Sequence, residues 1–414
     1  MSAVLGRFES RHNPFQPDPH DFIKPLLAAD HGANGLDGVT EAKAERTSDP
    51  QVSFRRRLKH FTWAWFTVTM STGGIALLLA VTPHRFHGLT TIGTIFLILD
   101  IALFVLICVA LIARFVLYPA TFKASFSHPS ESLFFPTFWL SFPTILAGMQ
   151  NYGVPSAGPW LPDCLRVLFW IYVACTFPVA VIQYSYLFTA KQLTVQSMTP
   201  AWILPIFPIM LSGTTAGSVA RCQPEDRRIP ILIAGFTFQS LGFLVASFMF
   251  SNYIGRMMQS GLPVPKTRGG MFISVGPPAF TGLAYIEMAL ALPLTFDFLP
   301  GYPMARDILI TMGTFSAIFL WSLSFWFFSI SLVGVIIGLR QMKFTMTWWS
   351  FVFPNVGFAI VTIKIGQQLH SNAVLWVGSI MTILLVAMWF VVLACQIHAV
   401  WTREILFPSK DEDS

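Results

Sequence analysis

The chain has 414 residues and a formal net charge of +6; it is 54% hydrophobic, 15% aromatic and only 11% charged. Soluble domains carry about 25% charged residues, so this composition excludes an ordinary soluble domain and points to a chain that lives in lipid. The basic residues are scattered through short connections without the stripe that a phosphate backbone needs, which excludes a nucleic-acid partner.

Residues 1–60 mix Pro, His, Asp, Gly and Lys with no apolar core, so they read as a mostly disordered tail and not as a signal peptide. The run Arg55-Arg56-Arg57-Leu58-Lys59 abuts the first apolar segment and marks the cytoplasmic side. Hydropathy then predicts an all-α integral membrane region over 61–402, with ten spans near 61–82, 90–118, 133–152, 164–190, 199–220, 229–256, 270–292, 306–339, 348–368 and 373–402. Between the second and third spans, Phe122 to Pro136 reads as an interfacial connector. A short tail, 403–414, ends the chain. Ten spans leave both termini on one side. Most of the 26 Lys and Arg fall on that side, which makes both termini cytoplasmic, although the basic loop Arg221–Arg228 runs against the trend. The five cysteines have no metal-ligand spacing and read as small buried hydrophobes.

A break recurs in alternate spans. Phe142-Pro143 is followed by Gly148, Phe207-Pro208 by Gly213, Pro277-Pro278 by Gly282 and Phe353-Pro354 by Gly357, at intervals of roughly 65 to 76 residues; a first copy lacks the proline but keeps Phe66 and Gly73-Gly74. Two lipid-crossing helices fill one interval, so the pattern predicts five helical hairpins on one plan. The odd-numbered spans also hold most hydroxyls, among them Thr69, Thr72, Thr144, Ser212, Thr215, Ser274 and Thr281. Polar, broken helices inside and smooth apolar helices outside is the arrangement lipid favours, because freed backbone groups are tolerated only where protein or water covers them. Five such helices around a centre enclose a path, and a path across a membrane means transport.

Charge inside a span is costly and therefore informative. Lys364 shares a helix face with Gln367 and Gln368, an arrangement suited to holding a carboxylate; the competing reading is a lysine that snorkels to the outer interface. Glu287 on the seventh span is a candidate for proton coupling, for a neutral acid, or for pairing with a basic group. Asp100 and Arg114 lie about 21 Å apart along the second span and are not partners; Asp100 reads as a structural hydrogen-bonding group and Arg114 as interfacial, as do His370 and His398. No GxSxG, HExxH or GxxxxGK[ST] motif is present, so no enzyme, metal, cofactor or ATP-driven pump is expected.

Several segments carry a resemblance: Trp65-Phe66 with Met70-Ser71-Thr72-Gly73, His128-Pro129, Trp348 through Pro354, Asn151 through Pro155, Thr199 through Pro208, and Gly270 through Thr281. On these the chain resembles, over about 60–402, the tellurite-resistance/dicarboxylate transporter family, which includes bacterial TehA, plant slow anion channels and yeast sulfite exporters. It is most similar to the fungal malate transporter branch. The resemblance implies ten helices as five quasi-symmetric hairpins around a central pore lined by helices 1, 3, 5, 7 and 9, in a homotrimer with one pore per subunit. It implies secondary transport of malate and related C4-dicarboxylates such as succinate and fumarate, as the monoanion or with protons, across the plasma membrane; a sulfite exporter or an anion channel is the alternative. The family's occluding phenylalanine corresponds to Phe353, with Phe358 as the other choice. The expected path thus takes in Thr69, Thr72, Gly73, Thr144, Gly148, Ser212, Thr215, Arg221, Ser274, Thr281, Lys364 and Gln367, with Glu287 for protons and helix breaks at Pro143, Pro208, Pro278 and Pro354.

Overall fold

The computed structural model describes residues 54–190, 194–294 and 304–406; residues 1–53 of the expected N-terminal tail and 407–414 of the C-terminal one lie outside the described residues. Among the described residues there are helices and connections and no strands, as a lipid-embedded chain requires: with no water to satisfy backbone groups, each segment bonds internally. The helices are α1 (Phe54–Leu58), α2 (Phe66–Val81), α3 (Leu89–Leu117), α4 (Pro119–Ser127), α5 (Pro129–Gly148), α6 (Trp160–Ala190), α7 (Phe207–Met210), α8 (Ser212–Arg221), α9 (Glu225–Ser260), α10 (Gly276–Ala291), α11 (Ala305–Gly338), α12 (Phe353–Gln368) and α13 (Asn372–Trp401).

Among the described residues, eight helical stretches are long and apolar enough to cross a membrane: Trp63–Val81, Leu89–Leu117, Glu131–Gly153, Trp160–Thr189, Glu225–Ser260, Ala305–Gln341, Met346–Gln368 and Asn372–Trp401. The protein is therefore a multi-pass helical membrane protein. Two further segments expected to span, 199–220 and 270–292, are interrupted. The first is a 3₁₀ turn at Pro200–Ile203 followed by α7 and α8; the second is a 3₁₀ stretch at Pro265–Val275 followed by α10. The prolines explain both. Pro208, Pro277 and Pro278 fall in the first turn of an α-helix, as does Pro354 in α12, where a missing N–H costs nothing. Pro143 alone of the repeated prolines stays inside a helix, α5. The connector expected over Phe122–Pro136 is shorter than it reads in sequence. The His128 ring accepts from the Glu131 N–H and Pro129 occupies the first turn, so α5 starts there and takes in Pro136.

The packing sorts helices by polarity. α2 packs on α5, α5 on α8, α8 on α10, α10 on α12, and α12 on α2 again. Helices α3, α9, α11 and α13 lie each against the neighbour that precedes it in this order, and α6 against α5 and α8. In the spans containing α2, α5 and α12, 78%, 61% and 83% of the most apolar window is buried, against 28–33% for α3, α6, α9, α11 and α13. The outer helices present Ile, Leu, Val and Phe outward, as a lipid-facing surface demands. Close approach of the two sets relies on the repeated glycines. A Cβ at Gly148 would strike Leu97, one at Gly213 would stand 2.7 Å from the Gln239 side chain, and one at Gly282 3.2 Å from the Ala317 backbone.

Candidate functional site

The C-terminal halves of α2, α5, α8, α10 and α12 converge on one cavity of about 80 Å³. Leu77 and Val81 close one wall, Ala147, Leu283 and Ile360 others; Thr144, Gln150, Asn151, Thr214, Thr215 and Ser218 supply polar atoms. Arg221, Glu287 and Lys364 supply charge. Arg221 is the last residue of α8, where a cation is favoured by the helix dipole.

These three charges meet. Glu287 bridges both cations, pairing its Oε2 with the Arg221 guanidinium and its Oε1 with Lys364 Nζ at 2.9 Å. The side chains of Glu287 and Lys364 are 11% and 10% exposed, that of Arg221 34%. The guanidinium is thus the most exposed of the three charged groups. The contact depends on Gly217, one turn before Arg221. A Cβ there would lie 2.7 Å from Glu287 Cβ and 3.0 Å from its carbonyl carbon, so only glycine lets α8 approach α10 at this level.

Against α8, α5 ends in a wide π-type turn, Met149–Gly153. It brings Gln150 to the cavity, where Gln150 Oε1 accepts from Ser218 Oγ at 3.2 Å. The turn is fastened by Tyr152, whose hydroxyl donates to the Ala76 carbonyl at 2.7 Å. Toward the N-terminal ends of α10 and α12 the cavity stops at Phe280 and Phe353. These rings stack at 5.2 Å, and Phe207 packs on both at 6.0 and 6.1 Å. All three are buried. Glycine again makes room: a Cβ at Gly276 would lie 2.6 Å from the Phe207 ring and one at Gly357 2.7 Å from Phe280.

Of the residues named from sequence, the cavity gathers Pro143, Thr144, Thr215, Arg221, Glu287, Phe353 and Lys364. The remainder stand elsewhere. Thr69 donates to the Phe66 carbonyl and meets Ser141 Oγ at 2.5 Å. Thr72 donates to Val68 O and accepts from Trp389 Nε1 at 3.1 Å. Ser274 donates to Met271 O, and Thr281 to Pro277 O while accepting from Gln239. Ser212, the first residue of α8, is fully buried. Gln367 sits half-buried at the end of α12, and Phe358 packs on Trp321 and Phe328 of α11. Gly73 and Gly148 face α3. Gln150, Thr214, Ser218 and Phe280 line the cavity without having been singled out as path residues. A hydroxyl on a broken helix was the available signal for Thr214 and Ser218; nothing local marks Phe280.

Two other buried acids have different settings. Glu131 binds both terminal nitrogens of Arg114, which also donates to the Phe61 carbonyl at 2.7 Å; this pair is buried, where Arg114 alone had read as interfacial. Asp100, on α3, is fully buried, and its carboxyl lies beside Thr144 behind the cavity wall. A Cβ at Gly73 would collide with both side chains.

A ring of helices holding a bridged carboxylate and two cations at one cavity is an arrangement suited to small anions. Residues 60–397 match the family described as voltage-dependent anion channel (SLAC1), and the chain belongs to this family, the same SLAC1/tellurite-resistance-dicarboxylate group its sequence resembles. It is similar to the malic acid transport protein of Schizosaccharomyces pombe, 39% identical over 368 residues, which cover 88% of this chain and 84% of that protein. It is also similar to a sulfite efflux pump of Arthroderma benhamiae, 28% identical over 353 residues, covering 84% of this chain and 93% of the relative.

Proposed function

We propose that this protein is a secondary transporter for malate and related C4-dicarboxylates, among them succinate and fumarate, moved as the monoanion or together with a proton. The observation that carries the reading is the Arg221–Glu287–Lys364 cluster: two cations and the carboxylate that bridges them, on three different helices, presented to a membrane-embedded cavity. Neither end of a dicarboxylate can sit at this depth without a cation and hydrogen-bond donors. Arg221 is the first contact, Lys364 the second, and Thr144, Thr215 and Ser218 contribute hydroxyls. Glu287 is the group for proton coupling.

The finer architecture belongs to the same reading. Counting the interrupted segments 199–220 and 270–292 as spans gives ten, as five hairpins around a path lined by α2, α5, α8, α10 and α12. The closed order of contacts among those five supports it. Both termini then lie in the cytoplasm, the cavity opens outward at the plasma membrane, and Phe353, with Phe280 and Phe207, occludes its inner end. Three subunits, each with its own path, complete the assembly. The similarity to a sulfite efflux pump and the family's channel members favour a second reading, in which the same cavity passes sulfite or inorganic anions.

Uptake of labelled malate into proteoliposomes, with and without an inward proton gradient and in competition with succinate, sulfite and chloride, tests the proposal. Saturable uptake raised by the gradient and blocked by succinate is expected. Sulfite or chloride flux without malate uptake would transfer the function to the second reading.

A further inference from the structure

The bridged carboxylate sets how much negative charge the site accepts. Arg221 and Lys364 carry +2, and Glu287 takes back one unit, so the empty site holds +1. Among the described residues, the charged side chains facing Glu287 from the packed helices are these two cations. The other charges near α10 are turned to its C-terminal end: Arg306 of α11 donates to the Leu290 and Leu292 carbonyls, and Glu225 of α9 accepts from the Leu294 N–H. No metal-ligating cluster exists among the described residues to add charge. Because uncompensated charge is expensive in this setting, the loaded site is most stable when neutral, with one further negative charge.

We propose that Glu287 is a tethered carboxylate occupying one of two carboxylate positions in the site, so that the charge sum of Arg221, Glu287 and Lys364 fixes how many protons accompany a dicarboxylate. The inference rests on the dicarboxylate reading above. A dianion loads when the proton sits on a Glu287 oxygen; a monoanion loads when the proton sits on the far carboxyl of the substrate. Both complexes have the same composition: one dianion, one proton and a neutral site. The proton enters from the aqueous side of the cavity and leaves with the substrate. The graded exposure fits displacement, since the guanidinium that meets the substrate is the most exposed of the three groups and the carboxylate it releases is close behind it.

The test is stoichiometry. Purified full-length protein in proteoliposomes is loaded with an interior pH dye under a potassium–valinomycin clamp, and labelled malate, protons and charge are counted together. Wild type is expected to move one proton and one net negative charge per malate. Glu287→Gln raises the sum to +2 and is expected to move no proton and two negative charges. Lys364→Met lowers it to zero and is expected to move two protons and no charge, at a reduced rate. Lys364→Met retains the Arg221–Glu287 pair, so the series stays informative should Glu287→Gln fail to fold. One proton per malate in every folded variant overturns the inference and leaves malate transport standing. Absence of malate uptake by folded wild type overturns both.

Discussion

The two sides of the cavity handle buried acids in opposite ways. On the α8–α10–α12 side, Glu287 is held between Arg221 and Lys364 at the cavity surface. On the α2–α3–α5 side, Asp100 lies one layer behind the surface, against Thr144 and the Gly73 backbone, and no cation faces it among the described residues. An acid in lipid that is paired and reachable can exchange partners with a solute; one that is sealed behind the wall serves packing and shape. Proximity to the cavity does not make a residue part of the path. Access and charge compensation do.

The comparison can be broken or sharpened by substitution. Arg221→Met removes the cation an anion meets first and leaves Glu287 with a single partner; malate uptake is expected to fall at least about tenfold, since a charge-assisted contact is worth roughly 1.5–3 kcal/mol. Uptake rates of the reconstituted variant check this, and an unchanged rate would remove the charged side from the path. Phe353→Ala takes away the ring that closes the same side at its base; a several-fold gain in passive anion flux is expected, together with a loss of about 3 kcal/mol in stability. Flux of chloride into vesicles, with thermal unfolding in detergent, separates the two effects.

Smaller effects probe the contacts that hold each side. Gly217→Ala meets Glu287 backbone, which cannot swing away, so α8 must retreat from α10; malate affinity is expected to weaken about fivefold, a cost of roughly 1 kcal/mol. Gly73→Ala meets side chains only, Asp100 and Thr144, and is expected to cost about twofold. Adding Asp100→Ala to Gly73→Ala should recover part of the lost uptake, since it removes the nearer of the two side chains and leaves Thr144 in contact, a rescue that no change on the Glu287 side reproduces. Asp100→Asn by itself keeps the shape and is expected to leave uptake and proton stoichiometry within twofold of wild type. A large loss there would put the two acids on the same footing.

Much of the scaffold is legible in the sequence for a physical reason. A lipid-facing helix must be apolar along its whole length, so α3, α6, α9, α11 and α13 stand out by hydropathy, with ends within about four residues of expectation. The broken segments are harder. Pro208 and Pro277-Pro278 announce an interruption but not that a 3₁₀ stretch precedes it, because proline is equally at home in the first turn of a new helix. The site is only partly legible. Arg221, Glu287 and Lys364 each attract notice as charges near or inside apolar runs, yet they lie 66 and 77 residues apart in sequence, and their meeting is a product of ring order. The sequence puts Lys364 on a shared face with Gln367 and Gln368, whereas its partner comes from α10. The hydroxyls mislead for a related reason. α12 is buried continuously from Phe353 to Gly366, so no periodicity separates a cavity face from a packing face. A Ser or Thr on such a helix is free to bond the carbonyl three or four residues back, as Thr69, Thr72, Ser274 and Thr281 do.

The position of the aromatic floor has an electrical meaning. Phe353 and Lys364 are eleven residues apart on α12, about 16 Å along the axis. That is roughly half of a hydrocarbon core about 30 Å thick. On the proposed path, a monovalent anion passing from the charged cluster to the floor would traverse about half of the transmembrane voltage. At about 2.3 kcal/mol per charge for 100 mV across the full membrane, this leg alone is biased by about 1.2 kcal/mol, or roughly sevenfold in rate or occupancy. On that path, a polarised membrane would act on the step between the two ends of a single helix.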